Sequence, residues 1–102
     1  MTMKTGEKYL PRNEKEKILA QAFLELKTEK DASNFLRDLM TIGEIKEFAN
    51  RLEIARLLLK KRSYKEIAKS TGVSTTTVTR VAHWLFRGCG GYRKVFNKLS
   101  KK

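Results

Sequence analysis

The sequence predicts an all-α fold of six helices, and three observations lead to that expectation. Apolar residues recur at helical spacing in most segments of this chain of 102 residues. Asn13, Thr41 and Ser63 each stand three positions before a glutamate, which is the spacing of a helix-capping pair. The connections between these patterned segments are short, and the length suits one domain with a modest core.

Two amphipathic helices are predicted near the start of the chain. The first follows Asn13, and its apolar stripe comprises Ile18, Leu19, Ala22, Phe23 and Leu26. The second is expected to be short and to follow Asp31, with an apolar side of Phe35, Leu36, Leu39 and Met40. Residues 1–12 are interpreted as a flexible N-terminal arm, and residues 13–100 as a single helical domain.

A longer central helix should run from the Thr41 cap to about Leu59. Its apolar positions lie on more than one face: Ile45, Phe48, Ala49, Leu52, Ile54, Ala55, Leu57, Leu58 and Leu59. A helix of this kind is buried on several sides, and the chain is short for so many apolar stripes. We therefore expect a homodimer with a large apolar interface. A last amphipathic helix follows the glycines at 88, 90 and 91.

The stretch "STTTVTRV", residues 74–81, has β-strand propensity but helical neighbours. A short helix is predicted from Tyr64, Gly72 permits a tight left-handed turn, and Ser74 caps a second helix. Ala68 and Val78 stand at the spacing that lets two such helices cross closely. This is the pattern of a helix-turn-helix over about residues 64–85.

Positive charge is concentrated in the C-terminal part of the chain. Residues 1–59 carry 11 Lys or Arg and 10 Asp or Glu, whereas residues 60–102 carry 12 basic residues and a single acid, Glu66. This segregation points to a polyanion, with nucleic acid first and an anionic membrane second. A basic surface that serves only solubility is the alternative, although such a surface would mix both signs.

The helical wheel separates two faces of the second helix. Val78, Val81, Ala82 and Leu85 are expected to pack inward. The outward face, which is expected to read DNA bases, comprises Thr75, Thr76, Thr79, Arg80 and His83. Threonine hydroxyls and methyls suit base edges, and Arg80 suits a guanine or a phosphate. The predicted phosphate contacts are Lys60, Lys61, Arg62, Lys65, Lys69, Ser74 and Thr77, with Lys94 and the tail as helpers.

Residues 18–99 resemble the Trp repressor family, in particular its smaller YerC/YecD-type branch, through "NRLEIARLL" and "STTTVTR". The resemblance implies a Trp repressor-like fold of six helices in an intertwined homodimer. It also implies a transcriptional regulator, expected to repress by covering a palindromic operator in double-stranded DNA. Arg51 and Arg80 match the two arginines that sandwich tryptophan in the ligand-binding members.

Val81 and Trp84 replace small residues in that effector pocket and would fill it, so no cofactor is expected and L-tryptophan is not expected to bind. Arg51 is better explained by an ion pair with a nearby carboxylate such as Glu47 than by ligand binding, and Trp84 is better explained by core or interface packing than by base stacking. His83 would contact a phosphate or be simply exposed. Cys89 is interpreted as a small loop residue rather than a redox sensor.

Several classes of protein find no support in the sequence. One His and one Cys are too few for a metal site, no catalytic constellation is present, and no apolar run is long enough to span a membrane. A bacterial cytoplasmic protein associated with the nucleoid is expected, not an enzyme. Two alternatives stay open: an architectural protein with little sequence preference, and a helical adaptor that binds other proteins.

Overall fold

The computed structural model describes residues 6–101 and contains six α-helices and no strand within that range. They are α1 (Glu14–Leu24), α2 (Glu29–Leu39), α3 (Ile42–Leu59), α4 (Tyr64–Thr71), α5 (Thr75–Arg87) and α6 (Gly91–Leu99). The predicted all-α class with six helices is thereby confirmed. No helix in the described part of the chain is both long and apolar enough to cross a membrane.

Side-chain caps begin the helices where the sequence has capping pairs. The Asn13 side chain accepts a hydrogen bond from the Glu16 N–H at 2.9 Å. Thr41 and Glu44 exchange two such bonds at the start of α3, at 2.9 and 3.1 Å. The expected start of α2 is wrong, because Thr28 accepts from the Asp31 N–H at 3.0 Å and the helix begins at Glu29. A cap oxygen satisfies an N–H that the first turn leaves free, and Thr28 does this three residues before Asp31.

The described residues form two compact units. Residues 9–47 form the first unit, which contains α1, α2 and the start of α3. Phe23 and Phe35 meet edge to face in this unit, with ring centroids 5.7 Å apart. No side chain of α1 or α2 is fully buried. The prediction of a single domain over residues 13–100 stays a prediction.

The second unit holds the hydrophobic core and, among the described residues, comprises 6–8 and 48–101. Eight apolar side chains are buried there: Ile54, Ala55, Leu58, Ile67, Val78, Val81, Ala82 and Leu85. All of them come from α3, α4 and α5, so α4 and α5 pack against the C-terminal part of α3 in one core. The four α5 residues that were predicted to pack inward are all buried, which confirms the inward face of this helix.

The residues before α1 make defined contacts in both units. The Gly6 N–H donates to the Arg87 carbonyl at 3.0 Å, and a Cβ on Gly6 would lie 2.8 Å from that oxygen. Arg12 and Tyr9 donate to the Glu16 carboxylate, and these bonds lower the pKa of Glu16 to about 2. The predicted flexibility of residues 1–12 stays a prediction, and residues 1–5 lie outside the described range.

Candidate nucleic-acid interface

A tight turn joins α4 to α5. At the start of α4, Ser63 and Glu66 form a complete capping box, with both bonds at 3.1 Å. At its end, Gly72 has φ 78° and donates its N–H to the Ala68 carbonyl at 2.9 Å. The left-handed conformation disfavours a side chain, which explains the glycine. Because α4 and α5 share one core, the turn between them fixes the orientation of α5 relative to α4.

Ser74 begins α5 as predicted. Its Oγ accepts from the Thr77 N–H at 3.2 Å and lies 3.2 Å from the Thr77 Oγ1. The two hydroxyls share one bond, so one of their two protons remains available to an outside acceptor such as a phosphate oxygen. Thr77 is only partly exposed, whereas Ser74 is exposed.

The five residues predicted to read bases are all exposed on α5: Thr75, Thr76, Thr79, Arg80 and His83. The Thr79 hydroxyl donates to the Thr75 carbonyl at 3.0 Å. This bond fixes the side chain and leaves its methyl and the oxygen lone pairs for a base edge. The side chains of Thr76 and Arg80 form no hydrogen bond with other described residues, so their donors are available to an outside acceptor.

A basic turn of Lys60, Lys61 and Arg62 connects α3 to α4, and all three side chains are exposed. Lys61 has φ 63° and is the one residue other than glycine with positive φ in the described range. The Lys61 N–H donates to Leu58 at 2.9 Å and the Arg62 N–H donates to Leu57 at 3.2 Å. These two bonds form the helix-ending motif in which the left-handed position is usually glycine.

Lys65 and Lys69 add two exposed cations on α4. The only acid among residues 60–102 is Glu66. Its bonds from the backbone and side chain of Ser63 lower the pKa of Glu66, so the carboxylate stays charged while it serves the cap. Five exposed cations among residues 60–69 outnumber this one carboxylate, so the surface around α4 and the start of α5 has a net positive charge, as phosphate binding requires.

The four residues of the possible effector pocket differ in their surroundings. Val81 is only 4% exposed and belongs to the core, and Arg80 lies on the outward face of α5. The Arg51 guanidinium carbon lies 5.1 Å from the Phe48 ring centroid. The expected ion pair of Arg51 with Glu47 stays a prediction.

Trp84 is 45% exposed and so is not a core residue of this chain. It contacts the His83 ring edge to face, with centroids 5.2 Å apart. It also lines a shallow, open apolar depression of about 390 Å³ together with Leu52 and Tyr92. Burial is the main cause of the raised pKa of Tyr92. Packing of Trp84 in an interface stays a prediction.

Sequence reasoning missed the left-handed conformation of Lys61. The available signal was that α3 runs to Leu59 without a glycine or asparagine before the capping box at Ser63. Some other residue had to take the left-handed position, and propensity alone does not say which. Among residues 6–101, no group of three or more His, Cys, Asp or Glu side chains could hold a metal ion.

The glycine turn, the shared core and the exposed threonine face of α5 define a helix-turn-helix protein of the DNA-binding regulator class. The family profile described as Trp repressor protein matches residues 14–100. The chain belongs to the Trp repressor family.

Individual relatives are similar over most of their length. A Bacillus subtilis (strain 168) protein described as uncharacterized protein YerC is 36% identical over 83 residues, which are 81% of this chain and 80% of the relative. A TrpR-like protein from Eubacterium eligens has a crystal structure with a TM-score of 0.82 and 39% identity, covering 87% of this chain and 92% of that one. A structure described as a candidate Trp repressor from Staphylococcus aureus also has a TM-score of 0.82, at 27% identity over 89% and 91%. The predicted Trp repressor-like fold is thereby confirmed.

Proposed function

We propose that this protein is a sequence-specific regulator of transcription that binds double-stranded DNA and represses by covering a promoter. One observation carries the proposal: the outward face of α5 presents Thr75, Thr76, Thr79 and Arg80 beside a surface rich in lysine. Small hydroxyl side chains let a helix approach the base edges of the major groove, and one arginine there suits a guanine. In a bacterium such a protein works in the cytoplasm, on the nucleoid.

The roles divide between the two helices and the basic turn. Phosphate contacts fix the position of a protein on DNA, whereas base contacts specify the sequence. We assign phosphate binding to the five exposed cations of residues 60–69 and to the hydroxyls of Ser74 and Thr77. We assign base reading to the outward face of α5, with His83 at its far end.

We also propose that the protein acts as a homodimer on a palindromic operator. The support is the large number of apolar side chains that the single chain leaves exposed, including Ile18, Phe23, Phe48, Trp84 and Leu99. No residue of α1, α2 or α6 is fully buried. Helices of this kind are stable when another apolar surface covers them. An obligate interface of about 2,000 Å² or more is expected.

Selection of bound duplexes from a random pool tests the function directly. Recovery of a two-fold symmetric consensus is expected. A dimer that neutralises roughly 8 phosphates should then lose affinity for this site with a log–log salt slope of about −7.

Two variants separate base reading from phosphate binding. Thr76→Ala should cost roughly 1–3 kcal/mol per base contact on the selected duplex, with little change on random DNA. Lys65→Ala should weaken binding to both duplexes alike and make the salt slope shallower by about one unit per contact. Lys30→Ala, on exposed α2, is the matched control and should change neither affinity.

The architectural alternative gains support from the further cations on α6, which include Lys94 and Lys98. Charge of this extent suits DNA binding without sequence preference. If no consensus is recovered, or if Thr76→Ala and Lys65→Ala lose affinity in the same proportion on the selected and the random duplex, that alternative replaces the regulator.

A further inference from the structure

Two exposed threonines on the outward face of α5, about one helical turn apart, use their hydroxyls differently. The Thr79 hydroxyl donates to the Thr75 carbonyl at 3.0 Å, so its single proton is already bound inside the helix. The Thr76 side chain forms no hydrogen bond with other described residues. Two residues of one type therefore offer a DNA duplex different groups. Thr76 has a free donor, whereas Thr79 has a methyl group and the lone pairs of a bound oxygen.

The hydrogen bond of Thr79 also fixes its side chain. A β-branched side chain has few staggered positions on a helix, and a hydroxyl that binds the carbonyl four residues back selects among them. The oxygen is held beside the backbone, which leaves the methyl as the group for contact with a partner. The preceding residue, Val78, is fully buried, so the core holds the backbone that carries this methyl. A side chain fixed in this way loses little further entropy when it packs against a base.

The groups that DNA exposes decide which partner suits Thr79. A phosphate oxygen only accepts hydrogen bonds and gains nothing from a hydroxyl whose proton is bound elsewhere. The major groove also presents an apolar group, the methyl of thymine, which neither cytosine nor uracil carries. Removing one methyl contact from water is worth about fourfold in affinity. Methyl contact would therefore distinguish thymine from both other pyrimidines.

We propose that Thr79 is a specificity-determining residue that recognises the methyl group of a thymine, whereas Thr76 reads a nearby base pair through its hydroxyl. The inference rests on the proposed function, because it assigns what the outward face of α5 reads. It narrows the target to duplex DNA with a thymine at a fixed place in each half-site. Three residues rise by about 4.5 Å along a helix, against about 3.4 Å per base pair, so the two positions are close neighbours.

Replacing thymine by deoxyuridine in the selected duplex removes the methyl and keeps the base pairing. Each thymine position is replaced in turn, in both half-sites, and the affinity of the full chain is measured at one salt concentration. At one position the wild type should bind about fifteenfold more weakly, which is about fourfold per half-site. Thr79→Ser keeps the hydroxyl but loses the methyl, so it should bind the unmodified duplex about fifteenfold more weakly and should not distinguish uracil from thymine there. Thr79→Val keeps a methyl and should behave like the wild type on both duplexes.

Thr76 supplies the matched control, because the same two substitutions should have the opposite effects there. Thr76→Ser keeps the hydroxyl and should bind like the wild type, whereas Thr76→Val should lose roughly tenfold or more on the selected duplex. Circular dichroism should show all four variants folded.

Three results would overturn the inference about Thr79. They are a wild type that no uracil replacement weakens, a Thr79→Ser protein that still distinguishes uracil, and a Thr79→Val protein that loses affinity. The last result would mean that the Thr79 oxygen accepts a hydrogen bond from a base amino group. If a consensus has been selected, any of these results leaves the proposed function standing. Failure to recover a consensus would overturn both.

Discussion

Replacing Lys61 by glycine should change stability and DNA affinity in opposite directions. Lys61 occupies the left-handed region at φ 63°, directly after α3. A side chain in that conformation costs about 1–2 kcal/mol, because its Cβ approaches the following carbonyl oxygen. A lysine at this strained position is explained if its positive charge contacts a DNA phosphate.

The expected gain in stability follows from three terms. Relief of the left-handed conformation contributes about 1–2 kcal/mol, and the greater freedom of glycine in the unfolded chain removes about 0.5–1 kcal/mol. Loss of a cation near the end of α3 removes about 0.3 kcal/mol more. Lys61→Gly should therefore be more stable by about 0.5 kcal/mol, which corresponds to a rise in Tm of about 2–4 °C for a domain of this size.

The expected loss of affinity follows from counterion release. One phosphate contact contributes about 0.9 to the log–log salt slope, so it is worth roughly tenfold at 0.1 M salt relative to 1 M. Two copies in a dimer would lose up to roughly a hundredfold, and the slope would become shallower by about two units.

Thermal unfolding at fixed protein concentration and a salt series of DNA titrations measure the two effects. Lys61→Ala is the matched control, because it removes the charge but keeps a Cβ in the left-handed region. It should lose the same affinity without any gain in Tm. A Lys61→Gly protein no more stable than Lys61→Ala would refute the strain argument. Wild-type affinity in both variants would refute the phosphate contact.

Four further predictions concern the core, the cap, the assembly and the ligand. Ile67→Ala should lower the free energy of unfolding by about 2–5 kcal/mol in urea titrations, because Ile67 is fully buried. The bonds with Ser63 lower the pKa of Glu66 in the folded protein, so the Glu66 carboxylate stabilises the fold above its unfolded pKa and loses this effect as the pH falls through the folded pKa. The difference in unfolding free energy between wild type and Glu66→Gln should therefore shrink as the pH falls through the folded pKa. A difference that persists at low pH would show that the cap needs no charge. Sedimentation at micromolar concentration should show a dimer, and a monomer alone would contradict the proposed assembly. L-tryptophan should not tighten DNA binding, because Val81 is buried and Trp84 is bulky; a tenfold gain would revive Arg51 as a ligand residue.

Much of the candidate interface could be predicted because its signals are local. Helix caps and tight turns depend on hydrogen bonds and torsions within a few residues. The structure confirms the predicted capping box of Ser63 and Glu66, the left-handed turn at Gly72 and the N-cap at Ser74. The start of α2 was harder to predict, because two nearby residues could cap the helix. The structure has Thr28 as the N-cap, and Asp31 lies inside the helix.

By itself, the sequence determined the helical class, the turn between α4 and α5 and the division of α5 into an inward and an outward face. These depend on periodicity and on torsional preferences that each segment carries alone. Only the tertiary structure decided that Lys61 takes the left-handed position and that Val81 is buried. These properties arise when segments distant in the chain pack together, because burial and hydrogen-bond pairing depend on neighbours that no local pattern specifies.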